Sequence, residues 1–201
     1  MTDGIVHVVD DDAAIRDSLC WLLRSRGLAA QHWDSGESFL AGFAADAARC
    51  IVLDVRMEGQ SGVEVFDELV ARGCTVPVIF LTGHGDVPLA VSALKNGAFD
   101  FVEKPFNDNQ LVDRIIEAMR LCEVRLQERT ASAELAERLA QLTARERQVM
   151  ERILAGEFNK QIADALDIAI RTVEVHRSRI FEKLGVRSAV ELAGVVLKHK
   201  V

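Results

Sequence analysis

Directly after the apolar run IVHVV, the chain carries three adjacent carboxylates, Asp10, Asp11 and Asp12. A fourth, Asp54, closes a second apolar run, CIVLD. Like charges side by side repel, and a hard divalent cation with oxygen ligands resolves that repulsion. Magnesium suits such a group, because it needs only a few protein oxygens and keeps several waters. A hydroxyl at Thr82 ends the apolar run VPVIFLT, and an ammonium at Lys104 follows FDFVE. A cation, a lysine and a hydroxyl around one carboxylate suit a phosphoryl group, with that carboxylate as the nucleophile that receives it.

These residues can act together only if the fold gathers them. Residues 5 to 9 form a continuous apolar run, too short for a helix and rich in β-branched residues, and read as a buried strand. Ile15, Leu19, Leu22 and Leu23 then fall at helical spacing over residues 13 to 26, and Gly27 stops the helix. The alternation repeats with AAQHW, a weak strand, and SGESFLAGF, a short helix opened by Ser35. CIVLD and GVEVFDELVARG follow, then VPVIFLT and DVPLAVSALKNG, closed by Gly97. FDFVE is the fifth strand, and NDNQLVDRIIEAMRLCEV is the fifth helix, capped by Asn107. Five βα units in about 120 residues predict a doubly wound, five-stranded parallel sheet with helices on both faces, a flavodoxin-like α/β domain. Ligands of such sheets bind beyond the carboxyl ends of the strands. Asp10 and Asp11 end the first strand, Asp54 the third and Thr82 the fourth, and Lys104 follows the fifth, so they converge on one rim. Asp12 is expected to open the first helix as a capping or dipole-favoured acid.

Bulk composition narrows the function classes. The chain has 201 residues, 49% of them apolar, which supports packed cores rather than disorder. No apolar run is long enough to cross a bilayer, and MTDGIVHVV lacks the basic start and cleavage site of a secretory signal. Cys20, Cys50, Cys74 and Cys122 lie far apart without metal-site spacing, as expected of buried thiols in a reducing cytosol. The net charge of −7 is divided unevenly: residues 1 to 123 are acidic and residues 124 to 201 weakly basic. Two domains with different partners are expected.

The second half is all helical. RLQERTASAELAERLAQ is charged, rich in alanine and free of Gly and Pro, and predicts a helical linker that could continue the fifth helix. Leu121, Leu135, Leu139 and Leu142 form only a thin apolar stripe, too little for a long coiled coil. TARE, at Thr143 to Glu146, is a capping box for a helix that buries Val149 and Ile153 and ends at Gly156. Asn159 is expected to cap the next short helix, KQIADAL. After the turn DIA, the helix IRTVEVHRSRIFEKL places Val173, Ile180 and Leu184 on one core face. Glu174, Val175 and Ser178 lie opposite, flanked by Arg177, Arg179 and Lys183, and SAVELAGVVLKHK packs outside. Two helices joined by a tight turn, the second polar and basic, predict a helix-turn-helix.

The pieces VVDDD, VLDVRM, LTGHGD and VEKPF, in this order, resemble the receiver domain of two-component response regulators. GEFNKQIADALDIAIRTVEVHRSRIFEKLGVRSAVEL resembles the LuxR-type DNA-binding domain, and together they place the chain with the FixJ/NarL group. The resemblance implies that Asp54 is phosphorylated, and that Asp10, Asp11, Asp54 and the backbone carbonyl of Arg56 hold Mg2+. It implies that Thr82 and Lys104 bind the phosphoryl oxygens, that Phe101 is an aromatic switch behind Thr82, and that the Lys104–Pro105 bond is cis. In the output domain, Glu174, Val175 and Ser178 would face bases. Lys160, Thr172, Arg177, Arg179 and Lys183 would mostly touch phosphates. Two departures stand out: receivers usually carry proline where this chain has Glu58, and the family commonly has serine where it has Ala169, so an N-cap is missing.

The expected organisation is a receiver over residues 1–123, a helical linker over 124–141 and a helix-turn-helix domain over 142–201. The expected function is a cytoplasmic transcription factor, not an enzyme beyond slow self-dephosphorylation. A sensor histidine kinase phosphorylates it, it dimerises, and it binds promoter double-stranded DNA, with RNA polymerase as a further partner and no membrane. An aspartate-nucleophile phosphatase is disfavoured, because its usual acid two residues after the nucleophile is here Arg56. A constitutive DNA binder with a scaffold receiver is disfavoured by the complete acidic site.

Overall fold

Apolar runs without alternation become strands hidden on both faces, which a parallel sheet covered by helices provides. The computed structural model describes residues 4–83 and 87–198; residues 84–86, inside the LTGHGD stretch, lie outside the described residues. The strands are β1 (Ile5–Val9), β2 (Ala29–Trp33), β3 (Ala48–Asp54), β4 (Val78–Thr82) and β5 (Asp100–Glu103). All pairs are parallel, in the order β2-β1-β3-β4-β5. Along β3, Cys50 and Val52 pack on one side with Leu23, Ile115 and Met119. Ile51 and Leu53 pack on the other side with Phe39, Val65 and Phe66. The period of two survives, but both faces are apolar, so the sequence shows a run. β2 is an edge strand with exposed positions, which is why AAQHW reads weakly.

The strand order reverses between β1 and β3, and a crevice opens at such a switch. The register pairs Val9 with Leu53, so Asp10 and Asp54 stand next to each other where the two strands end. Helices α1 (Ala13–Ser25), α2 (Gly36–Gly42), α3 (Gly62–Ala71), α4 (Val87–Lys95) and α5 (Asp108–Ala140) complete the alternation. Asp12 caps α1, accepting a hydrogen bond from the Ala14 N–H at 2.8 Å. Ser35 caps α2, Ser61 and Glu64 close a capping box on α3, and Asn107 accepts from the Asn109 and Gln110 N–H groups before α5.

Backbone contacts divide the chain into residues 1–126 and 127–201, and the division falls inside α5. The segment expected as a linker is helical to Ala140, without a break from Asp108. The second unit holds the end of α5, then α6 (Ala144–Leu154), α7 (Asn159–Leu166), α8 (Ile170–Leu184) and α9 (Ala189–Lys198). Its core comprises Val149, Ile153, Ile162, Val173, Ile180 and Leu192, with Leu139 of α5 packed against it. One cap differs from expectation. Asn159 is the first residue of α7, and Phe158 occupies the cap position, where its N–H donates to the Gln161 side chain at 2.8 Å. The turn before α8 is closed by Asp167 at φ 52°, a left-handed position that aspartate tolerates better than most residues.

Gly62 fixes how closely α3 meets the site strand. Its N–H donates to the Val55 carbonyl at 3.0 Å, and a Cβ there would stand 2.0 Å from the Asp54 carbonyl oxygen. Backbone cannot yield as a flexible side chain can, so Gly62→Ala is expected to cost about 3 kcal/mol, the upper end of overpacking. Urea unfolding followed by circular dichroism measures it; a loss below about 0.5 kcal/mol, the level of an ordinary surface change, would show that the approach is not a constraint.

Candidate functional site

Four of the five βα units deliver chemical groups to the rim. Asp10 (buried) and Asp11 (exposed) follow β1, and Asp54 ends β3; single oxygens of the three carboxylates lie within 4.8 Å of one another. Lys104 reaches across from the end of β5: its Nζ donates to Asp10 Oδ2 at 2.8 Å and pairs with Asp54 Oδ1 at 2.9 Å. The Lys104–Pro105 bond is cis, and the Lys104 N–H donates to the Thr82 carbonyl at 2.7 Å, which ties the lysine to the end of β4. Thr82 is fully buried, and its hydroxyl has no hydrogen-bond partner among the described residues. An unsatisfied buried hydroxyl costs roughly 1–3 kcal/mol, so this one is a donor in want of an acceptor.

The electrostatics follow from one cation among three anions. Burial pushes the Asp54 carboxyl up to about 6; Lys104 pulls against this, and Asp10 and Asp11 push with it. Burial opposes the Lys104 ammonium, but its hydrogen bonds to Asp10 and Asp54 prevail and hold it above the usual lysine value. The carboxylates also take neutral donors. Asp10 Oδ1 accepts from the Asp12 N–H at 2.9 Å, and the Arg16 guanidinium donates to the Asp10 carbonyl at 2.7 Å. Asp11 Oδ2 accepts from the Glu58 N–H at 2.8 Å. A proline at position 58 has no N–H to give, so the departure noted in the sequence adds a tether to Asp11. Oxygen donors this close, with charge left uncompensated, fit a hard divalent cation. Phe101 is half-buried on β5 and packs on the Ile51, Leu53 and Phe80 side of the sheet.

In the second unit, α8 buries Val173, Ile180 and Leu184 and turns Thr172, Glu174, Val175, Ser178 and Arg179 to solvent. Lys160, early in α7, is exposed as well, and Arg177 lies over the Phe181 ring, 5.5 Å from its centroid. Ala169 caps α8 without a side-chain hydrogen bond, and Thr172 does not replace the missing one. Lys183 has partners within the domain: its Nζ donates to Glu146 Oε2 at 2.7 Å and to the Gln141 carbonyl at 3.1 Å. Sequence reasoning found Glu146 only as a capping acid. It missed Lys183 as its partner, because the two stand 37 residues apart. Arg16 and the Glu58 N–H were missed too, and a backbone donor leaves no signal in residue type.

Comparison with known proteins covers both units. The response regulator receiver domain matches residues 6–116, and the luxR family of bacterial regulatory proteins matches residues 140–196. The C4-dicarboxylate transport transcriptional regulatory protein DctR of Rhodobacter capsulatus is 54% identical over 190 residues, which cover 94% of this chain and 96% of the relative. The transcriptional regulatory protein FixJ of Bradyrhizobium diazoefficiens is 43% identical over 197 residues, 98% of this chain and 96% of the relative. Among solved structures, the response regulator StyR superposes with a TM-score of 0.90 at 41% identity, covering 98% of this chain and 99% of that one. Among the described residues, no helix is long and apolar enough to cross a membrane.

Glu146 generates a pH prediction. The hydrogen bond from Lys183 and then that from the Thr143 N–H hold its carboxyl down at about 2, against an ordinary glutamate value of 4.5. A carboxylate with a depressed folded-state pKa adds stability above the ordinary value and loses it as pH falls through the folded value. The second unit is therefore expected to lose about 2 kcal/mol through this group between about pH 5 and pH 2, and Glu146→Gln to lack that part of the dependence. Urea unfolding across this pH range, read by helical circular dichroism, checks it; parallel profiles for the two proteins contradict it.

Proposed function

The chain belongs to the two-component response regulators that join a receiver domain to a LuxR-type DNA-binding domain, and we propose that Asp54 is the switch through which its kinase controls it. It is a transcription factor of a two-component system, with a sensor kinase and DNA as its partners. The observation that carries the proposal is the set of three clustered carboxylates, two of them bridged by Lys104, beside a buried Thr82 hydroxyl without a partner among the described residues.

Asp54 lies centrally, and its carboxylate oxygen attacks phosphorus. The oxygen–phosphorus bond forms while the bond to a kinase histidine nitrogen breaks and leaves with its electron pair. Asp10, Asp11, Asp54 and the Arg56 carbonyl would hold Mg2+, which would neutralise phosphoryl charge. Lys104 exchanges a carboxylate partner for a phosphoryl oxygen. The Thr82 hydroxyl turns to donate to another, and Phe101 moves into the space behind it. The face formed by α4, β5 and α5 then changes shape, and two copies pair through it. The protein acts in the cytoplasm, with no catalytic turnover beyond slow self-dephosphorylation, and RNA polymerase is its partner at the promoter.

In the output domain, Glu174, Val175 and Ser178 read base edges. Lys160, Thr172, Arg177 and Arg179 position the domain on phosphates. One such domain makes few phosphate contacts, so pairing gains affinity through effective concentration.

A small acyl phosphate with magnesium is expected to label Asp54 alone, and beryllofluoride to shift the protein from monomer to dimer in sedimentation. Label that persists in Asp54→Asn, or that forms without a divalent ion, overturns the assignment. An unchanged mass with rising DNA affinity overturns the pairing step.

A further inference from the structure

We propose that Lys183 and Glu146 are a positioning pair that sets the angle of α8, an inference that rests on α8 being the DNA-reading helix. Lys183 stands in the last turn of α8, where it donates to Glu146 at 2.7 Å and to the Gln141 carbonyl at 3.1 Å. The Glu146 side chain is 3% exposed. It also accepts from the Thr143 N–H at 2.8 Å, while its own N–H donates to the Thr143 hydroxyl at 3.2 Å. One carboxylate thus closes the capping box of α6 and holds the last turn of α8.

Two neighbours reinforce the hold. Arg138, near the end of α5, donates to the Leu184 carbonyl at 3.4 Å. Gly185 ends α8 at φ 68°, and a Cβ there would stand 3.1 Å from the Arg138 Nη1. The first turn of α8 has no side-chain cap. The helix is therefore polar-anchored at its carboxyl end, and its exposed reading face extends away from that anchor.

Leverage makes small errors count. Glu174 lies about 13.5 Å along the axis from Lys183, so a tilt of about 5° about the anchored turn moves it by about 1 Å. That displacement is enough to lose a direct hydrogen bond to a base edge. Lys183 influences base reading in this way without touching DNA.

The sign of one substitution separates this role from a phosphate contact. Removing the Glu146 charge frees a lysine that binds phosphate and tightens binding, but it loosens a positioning pair and weakens binding. The full-length protein with beryllofluoride is titrated onto a randomised half-site library at two salt concentrations, at a temperature where circular dichroism shows each variant folded. Lys183→Met and Glu146→Gln are each expected to weaken selected-site binding roughly threefold to tenfold and to flatten base preference. The double variant is expected to lose no more than the worse single, and Lys183→Arg to restore binding. The salt slope stays unchanged, whereas Arg179→Ala lowers it by about one unit per bound domain.

A slope lowered by Lys183→Met, with tighter binding by Glu146→Gln, overturns the proposal in favour of a phosphate contact. Unchanged base preference in both folded variants overturns it in favour of a role in stability alone. If Arg179→Ala and Lys160→Ala leave affinity and slope unchanged, the reading role of α8 itself fails.

Discussion

Among the described residues, the Asp10, Asp11 and Asp54 carboxylates cluster with the Lys104 ammonium at the carboxyl end of the sheet, and much of the receiver is arranged around that imbalance. Lys104 touches two of the three acids, Asp10 and Asp54. Neutral donors take further lone pairs: the Asp12 N–H on Asp10 and the Glu58 N–H on Asp11. Dipoles of this kind lower the cost of crowding without cancelling a net charge. The charge they leave uncompensated is what the proposed function turns to use, through a cation and a phosphoryl group. Gly62 lets α3 approach the Asp54 backbone, and Arg16 holds the Asp10 carbonyl, so the strand ends are braced from two helices.

The output unit solves a different problem with similar means. Helix α8 presents Thr172, Glu174, Val175, Ser178 and Arg179 to solvent, so it gains little burial from that face. Val173, Ile180 and Leu184 secure the opposite face, and Lys183 with Glu146 secures one end. The uncapped start at Ala169 forgoes about 1 kcal/mol that a serine there would supply. A missing cap at one end makes the carboxyl-end anchor matter more.

Much of this was legible in the sequence, for physical reasons that can be named. β1 and β3 stood out because a strand buried on both faces leaves an uninterrupted apolar run, and the acids that end them mark the rim. Asp12 and the Thr143–Glu146 box were readable because caps act over three residues or fewer. Asn159 misled because asparagine favours cap positions; here the chain enters the helix one residue earlier, through the Phe158 N–H and Gln161. The Lys183–Glu146 pair was hidden for a longer-range reason: its two members stand 37 residues apart on different helices. Glu58 read as a lost proline and an extra carboxylate, and the N–H that proline lacks left no signal.

Excess charge in the acidic cluster, relieved by a divalent cation, is the central claim, and urea unfolding of the wild type and of Asp54→Asn at neutral pH, in chelator and in magnesium, tests it directly. In chelator, Asp54→Asn is predicted to be more stable than the wild type by roughly 1–2 kcal/mol, because it removes a buried like charge. Magnesium at about twenty times its dissociation constant is predicted to stabilise the wild type by about 2 kcal/mol and the variant by clearly less. A variant that is less stable than the wild type in chelator, with equal gains from magnesium, would contradict the account.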